Sequence, residues 1–144
     1  MPFTNYLDQA LVPLLFGNVS YTIPATWYVA LSTSTPSQVK GTSTPYWNFT
    51  EPATGGYARV GITNNSTNWT AISSEPTNGY TIQNATAISF APSTGSWGTV
   101  TYFGVWDTLT GGNLCGFGIL SASQNITSGV AASFAIGALT VTNN

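Results

Sequence analysis

Apolar residues recur at helical spacing over the first sixteen positions of the chain. Asn5 is a suitable N-cap, Gly17 is a suitable stop, and Pro13 should kink or fray the last turn because it has no backbone N–H to donate. The pattern therefore predicts a short helical arm within residues 1–23. The residues that share its apolar face are Phe3, Leu7, Ala10, Leu11, Leu14 and Leu15.

This arm has two possible partners. A terminal amphipathic helix can pack on its own domain, or it can dock on a neighbouring subunit, and the pattern alone fits both. If it docks, the candidate intersubunit contacts are Phe3, Leu7, Leu11, Leu14 and Leu15.

From residue 24 the apolar period changes from 3.6 to 2, which is typical of strands. In the first strand Trp27, Val29 and Leu31 alternate with Thr26, Tyr28, Ala30 and Ser32. Short strands punctuated by Gly, Pro and Asn predict a single antiparallel β-sandwich or barrel over residues 24–144. The later predicted strands are 57–62, 82–90, 99–106, 114–120 and 130–142, the last with a possible bulge at Gly137, and a turn follows Asp107.

A long polar segment interrupts the strands at residues 33–56. Connections of this length are unusual unless they have a role of their own. The segment contains Tyr46, Trp47 and Phe49. These aromatic side chains either pin the segment to the sheet of their own chain or form an exposed patch that contacts a neighbouring subunit.

Charge is scarce throughout the chain. The 144 residues include 2 basic and 4 acidic ones, no His and one Cys, whereas Thr, Ser and Asn number 23, 15 and 12. Such a chain cannot neutralise many phosphates, so nucleic-acid binding is not expected. Most zinc sites and every Ser-His or Cys-His pair are also excluded, and no cofactor is implied. The surface must consist mainly of hydroxyls and amides.

The few titratable side chains do not form a recognisable catalytic group. Asp8, Glu51, Glu75 and Asp107 are far apart in sequence, whereas paired-carboxylate catalysis needs two within about 5–10 Å. Arg59 is the candidate for a structural ion pair with one of these acids. Cys115, in LCGFGIL, is expected to be a small buried hydrophobe.

No targeting or membrane segment is expected. The first sixteen residues lack a basic region and carry Asp8 and Pro13, unlike a signal peptide. No apolar run approaches the ~20 residues of a membrane span.

Four segments carry a resemblance to a known family. They are PATWYVALSTSTP (24–36), GGYARVGIT (55–63), AISFAPSTGSWGTVTYFGVWDTLTGGNLCGFGIL (87–120) and SGVAASFAIGALTVT (128–142). Together they resemble small virion proteins of tailed bacteriophages, which are often labelled tail fibre proteins, while similar small β proteins serve as capsid cement. The stretch Trp97–Leu114 is the most specific part, and the 37–54 insertion departs from the usual pattern.

The resemblance implies a non-enzymatic structural protein of the virion, assembled in the host cytoplasm. The first expectation is a cement or decoration protein that binds the major capsid protein and copies of itself, with a trimer favoured by analogy to threefold capsid sites. The alternative is a tail fibre or tail-tip adhesion module that contacts the host surface. The absence of repeats in so short a chain favours cement, because fibres usually contain repeats or shafts.

Overall fold

The computed structural model describes residues 3–38, 47–75 and 79–143. These residues form one helix and eleven strands. The elements are α1 (Asn5–Leu15), β1 (Thr26–Ser32), β2 (Ser37–Gln38), β3 (Trp47–Asn48), β4 (Val60–Thr63), β5 (Ser73–Glu75), β6 (Gly79–Gln83), β7 (Ile88–Ser89), β8 (Gly98–Trp106), β9 (Leu114–Ile126), β10 (Ser133–Phe134) and β11 (Thr140–Asn143).

The predicted N-terminal helix is confirmed, with one correction at its start. Thr4, not Asn5, occupies the N-cap position, and its side chain donates to the Leu114 carbonyl instead of capping the helix. Pro13 lies inside the last turn, and the helix ends where Gly17 adopts a φ of 70°. A side chain with a Cβ is disfavoured at that φ, which explains the glycine.

Four antiparallel strands form the main sheet in the order β4-β1-β8-β9, so β9 lies at an edge. The turn between β8 and β9 is the one predicted after Asp107. The Asp107 carboxylate accepts hydrogen bonds from the backbone N–H of Asn113 at 2.7 Å and from its side-chain amide at 2.8 Å. This pairing closes the hairpin and sets the start of β9.

The main apolar core lies between this sheet and a second layer, which contains the β5-β6-β11 sheet and the β7-β10 pair. Val29 and Leu31 of β1 contribute from the first layer, and Ile88 of β7 from the second. The chain is therefore mainly β with sandwich-like layers, which confirms the predicted fold class.

Two predicted strands are wrong in extent, and a buried asparagine explains both. The 82–90 and 130–142 segments each break into two short strands around Asn84, which is fully buried. Its side-chain amide donates to the carbonyls of Thr86 and Ala135, and its side-chain oxygen accepts from the N–H of Leu139. These bonds replace the strand ladder locally, and the chain turns at Gly137. The strand predicted from Tyr57 begins later, at Val60.

Candidate assembly surfaces

The first half of the N-terminal segment is fixed to the edge of the main sheet. Phe3 forms an antiparallel bridge with Gly116 of β9, and the N–H of Thr4 donates to the Cys115 carbonyl at 2.8 Å. Thr4 is fully buried and Leu7 is 7% exposed. We call residues 3–11 the root. The root covers the start of the β9 edge, which would otherwise present unpaired backbone groups.

An apolar groove of about 270 Å³ opens between the root and the sheet. Phe3, Leu7 and Leu11 form one wall, and Trp27 and Trp69 contribute to the others. Cys115 also lines it, and burial, followed by the charge of Asp107, raises the pKa of that thiol to about 12. Cys115 is therefore a neutral buried side chain and a poor nucleophile.

Residues 12–19, which follow the root, expose apolar side chains, and we call them the tip. Leu15 is 80% exposed and Phe16 is 83% exposed, while Leu14 is half-buried. Val12 and Val19 are also exposed. Ile23, beyond the tip, lies at the rim of the groove. Of the predicted arm contacts, Phe3, Leu7 and Leu11 therefore line the groove within their own chain, whereas Leu15 points into solvent.

The outer face of the main sheet, opposite the core, carries a cluster of aromatic rings. Trp47 and Phe49 pack edge-on against Trp106, with ring centroids 5.7 and 5.6 Å away. Gly104 makes room for this packing, because a Cβ there would lie 2.7 Å from the Phe49 ring. Trp47 and Phe49 thus pin the long polar segment to the sheet. Both are half-buried. Tyr46, the third predicted aromatic, lies outside the described residues.

Arg59 connects the aromatic cluster of this outer face to Glu51 and to the β8–β9 turn. Its guanidinium pairs with the Glu51 carboxylate and lies over the Trp106 ring, with the guanidinium carbon 3.8 Å from the ring centroid. The Nη1 amino group of Arg59 donates to the carbonyls of Thr108 and Gly111 in the β8–β9 turn, at 2.9 and 2.8 Å. The Arg59 side chain is only 7% exposed, so the structure places it in a structural ion pair.

Tyr57 extends the Arg59 network into the sheet. Its hydroxyl donates to Glu51 at 2.8 Å and accepts from the N–H of Leu31 at 2.9 Å. Burial, followed by the charge of Glu51, raises the pKa of Tyr57 far above its ordinary value. The hydroxyl therefore stays protonated and acts as a fixed connector between the ion pair and β1.

The three acidic side chains that the structure describes have separate surroundings. Glu51 pairs with Arg59, Asp107 holds Asn113, and Asp8 is exposed on the first turn of α1. Within residues 3–38, 47–75 and 79–143, no three Asp, Glu, His or Cys side chains come together as metal ligands. In the same ranges, no helix has the length and apolar character needed to cross a membrane.

Sequence reasoning missed two features of these surfaces. Trp69 and Tyr21 line the groove, although neither belongs to the helical pattern of the arm. A lone tryptophan in the polar run NNSTNWT was the available signal for Trp69. The sequence offered Glu51 as one of four possible acidic partners of Arg59. Which acid pairs with Arg59 depends on the path of the chain from residue 51 to β4, which the apolar pattern does not predict.

Two comparisons with known proteins bear on these surfaces. The sequence profile of a family described as "Podophage GP4 fiber I protein gp80" matches residues 2–142, nearly the whole chain. A search of curated proteins gave no match.

Proposed function

The chain belongs to the Podophage GP4 fiber I protein gp80 family, and from this premise we propose that it is a non-enzymatic structural subunit of a phage tail fibre. The match over residues 2–142 is the observation that carries the proposal. It covers the root, the tip, the groove and the outer aromatic face together. A virion protein is also what the resemblance of the Trp97–Leu114 stretch implied.

The chemistry of the described residues supports a structural role. Three of the charged side chains are engaged in holding the fold, in the pairs Arg59–Glu51 and Asp107–Asn113. Cys115 is buried, with a raised pKa. A fibre subunit needs stable contacts that persist as ionic strength changes, and apolar contacts meet that need because they are not screened by salt.

The capsid-cement interpretation from the sequence stays a prediction, as do the trimer and the major capsid protein as partner. Cement was favoured because the chain is short and has no repeat. Membership of a family described as fibre proteins weakens that preference, because a short subunit can build a fibre by assembling with other chains. We therefore place the fibre first and cement second.

Labelling of intact virions tests the proposal. Antibodies raised against the purified chain, with the same antibodies pre-absorbed on that chain as the control, are applied to virions and imaged by electron microscopy. Label confined to the tail is the expected result. Label distributed over the shell would replace the fibre assignment with cement, and virions without specific label would overturn both.

A further inference from the structure

Two polar atoms among the groove-lining side chains lack a partner. The Tyr21 hydroxyl and the Trp69 indole N–H are buried and make no hydrogen bond within the described part of the chain. Trp69 is 7% exposed. Buried polar groups without partners are uncommon and costly, and they point to a missing ligand or neighbour. The groove therefore has the properties of a site for an apolar occupant that also carries hydrogen-bonding groups.

The tip of the same segment has properties that match such an occupant. Leu15 and Phe16 are exposed at 80% and 83%, an unusual state for adjacent large apolar residues. They are held in a defined geometry, because the N–H groups of Gly17 and Asn18 donate to the carbonyls of Leu14 and Pro13 and close the helix end. The end of a helix also presents carbonyl acceptors, which an indole N–H could use.

Leu15 and Phe16 cannot occupy the groove of their own chain. Helix α1 supplies one wall of that groove through Leu7 and Leu11. Leu15 lies about 12 Å along the helix axis from Leu7, beyond the residues of α1 that line the groove. Folding the tip back would unwind the wall it is meant to contact, so an occupant of this chemistry has to come from another molecule.

We propose that the groove of one copy of this chain receives Leu15 and Phe16 of a second copy. The contact joins two different surfaces, so each copy offers a tip to one neighbour and a groove to another. Contacts of this kind close into a ring when the rotation between copies allows it and otherwise extend as a filament. This proposal is independent of whether the protein is located in the tail fibre or on the capsid.

Size and charge both suit this occupant. An apolar cavity of about 150 Å³ is large enough to bind benzene, so a groove of about 270 Å³ has room for a phenyl ring and part of a leucine side chain. Asp8 is the one charged side chain in residues 1–23. The contact should therefore persist as NaCl is raised from about 0.05 to about 1 M, a range in which exposed ion pairs are strongly screened.

Three matched substitutions test the contact in the purified full-length chain by sedimentation velocity over a wide concentration range. Phe16→Asp alters the tip, Ile23→Asp alters the groove rim, and Ile136→Asp alters an exposed isoleucine that does not line the groove. All three positions are more than half exposed, and circular dichroism confirms folding of each variant. We expect the first two to raise the self-dissociation constant at least about tenfold and the third to leave it unchanged.

Mixing the two weakened variants distinguishes a tip-in-groove contact from a symmetric one. Phe16→Asp keeps an intact groove and Ile23→Asp keeps an intact tip, so their mixture should form a complex that stops at two chains. A symmetric contact would carry both defects and would not be restored. A monomeric wild-type chain, an equal effect of Ile136→Asp, or no complex in the mixture would each overturn the proposal.

Discussion

Residues 3–11 and residues 12–19 follow each other in one apolar segment, yet only residues 3–11 pack against the sheet. In the root, Thr4 is fully buried and Leu7 is 7% exposed. In the tip, Leu15 and Phe16 are 80% and 83% exposed. The root thus belongs to the fold of its own domain, whereas Leu15 and Phe16 of the tip are exposed to solvent, as the proposed contact with a second copy requires. One amphipathic segment has both environments because only its first residues meet the edge of the sheet, at the start of β9.

Removing the root should have the largest effect on the stability of the domain. The apolar pattern alone leaves open whether the helix packs on its own domain. The structure predicts a cost for deleting residues 1–17, because the deletion removes Leu7, at about 2 kcal/mol, and both hydrogen bonds of Thr4, at about 1 kcal/mol each. We expect the free energy of unfolding in urea to fall by about 4 kcal/mol. A change below about 0.5 kcal/mol would show that the root is not part of the fold.

The same substitution on the two halves gives a sharper comparison. Leu7→Ala should lower the free energy of unfolding by about 2 kcal/mol, the low end for a buried leucine, because the open groove allows its neighbours to adjust. Leu15→Ala should change it by less than about 0.5 kcal/mol, because that side chain is 80% exposed. Urea unfolding at concentrations where the chain is monomeric measures both. Equal losses would mean that the tip also packs on its own domain.

The pH dependence of stability tests whether the Cys115 thiol, which lines the groove, is shielded from water in the folded chain. Burial raises the pKa of Cys115 from 9.0 to about 12 in the folded chain. The folded chain therefore keeps a proton that the unfolded chain loses above pH 9, so this stability is complete below pH 9 and is lost as the pH rises towards 12. At pH 10 the loss should be about 1 kcal/mol. The pKa values of Tyr21 and Tyr57 are also raised by burial, which adds to the loss above pH 10.

The control for this measurement is Cys115→Ala. It lowers stability at every pH by leaving a small space, so the quantity to compare is the change between pH 8 and pH 10. We expect that change to shrink by about 1 kcal/mol relative to the unaltered chain. An identical pH dependence in both proteins would show that the thiol is reached by water in the folded state.

Local patterns allowed some of this molecule to be predicted. The helix over α1 and the β8–β9 hairpin follow from a regular apolar period and from turn residues at Asp107 and Gly111–Gly112. The break around Asn84 was not predictable, because one buried amide competes with the ladder only after distant segments have come together.

The candidate surfaces were predictable only in part, for a related reason. The apolar face of the arm was visible, but its division into root and tip depends on where the edge of β9 lies. The groove joins Leu7, Trp27, Trp69 and Cys115, which are scattered over more than a hundred positions. The pinned aromatics required Gly104 to face Phe49, a pairing between strands and loop that no local period contains.

The smallest expected effect concerns the residue that fixes the tip. Gly17 has a φ of 70° and no atom within 4 Å of where a Cβ would stand, so Gly17→Ala adds backbone strain without a clash. The cost should be about 1 kcal/mol or less, since the helix end can fray to relieve the strain. Fraying would displace Phe16, so self-association should weaken although the groove and every apolar side chain are intact.

Gly17→Asn is the control, because asparagine tolerates this conformation and should keep both stability and association closer to those of the unaltered chain. Unfolding in urea and sedimentation velocity on the same samples measure the two effects, and an alanine variant that associates normally would show that the tip needs no fixed helix end.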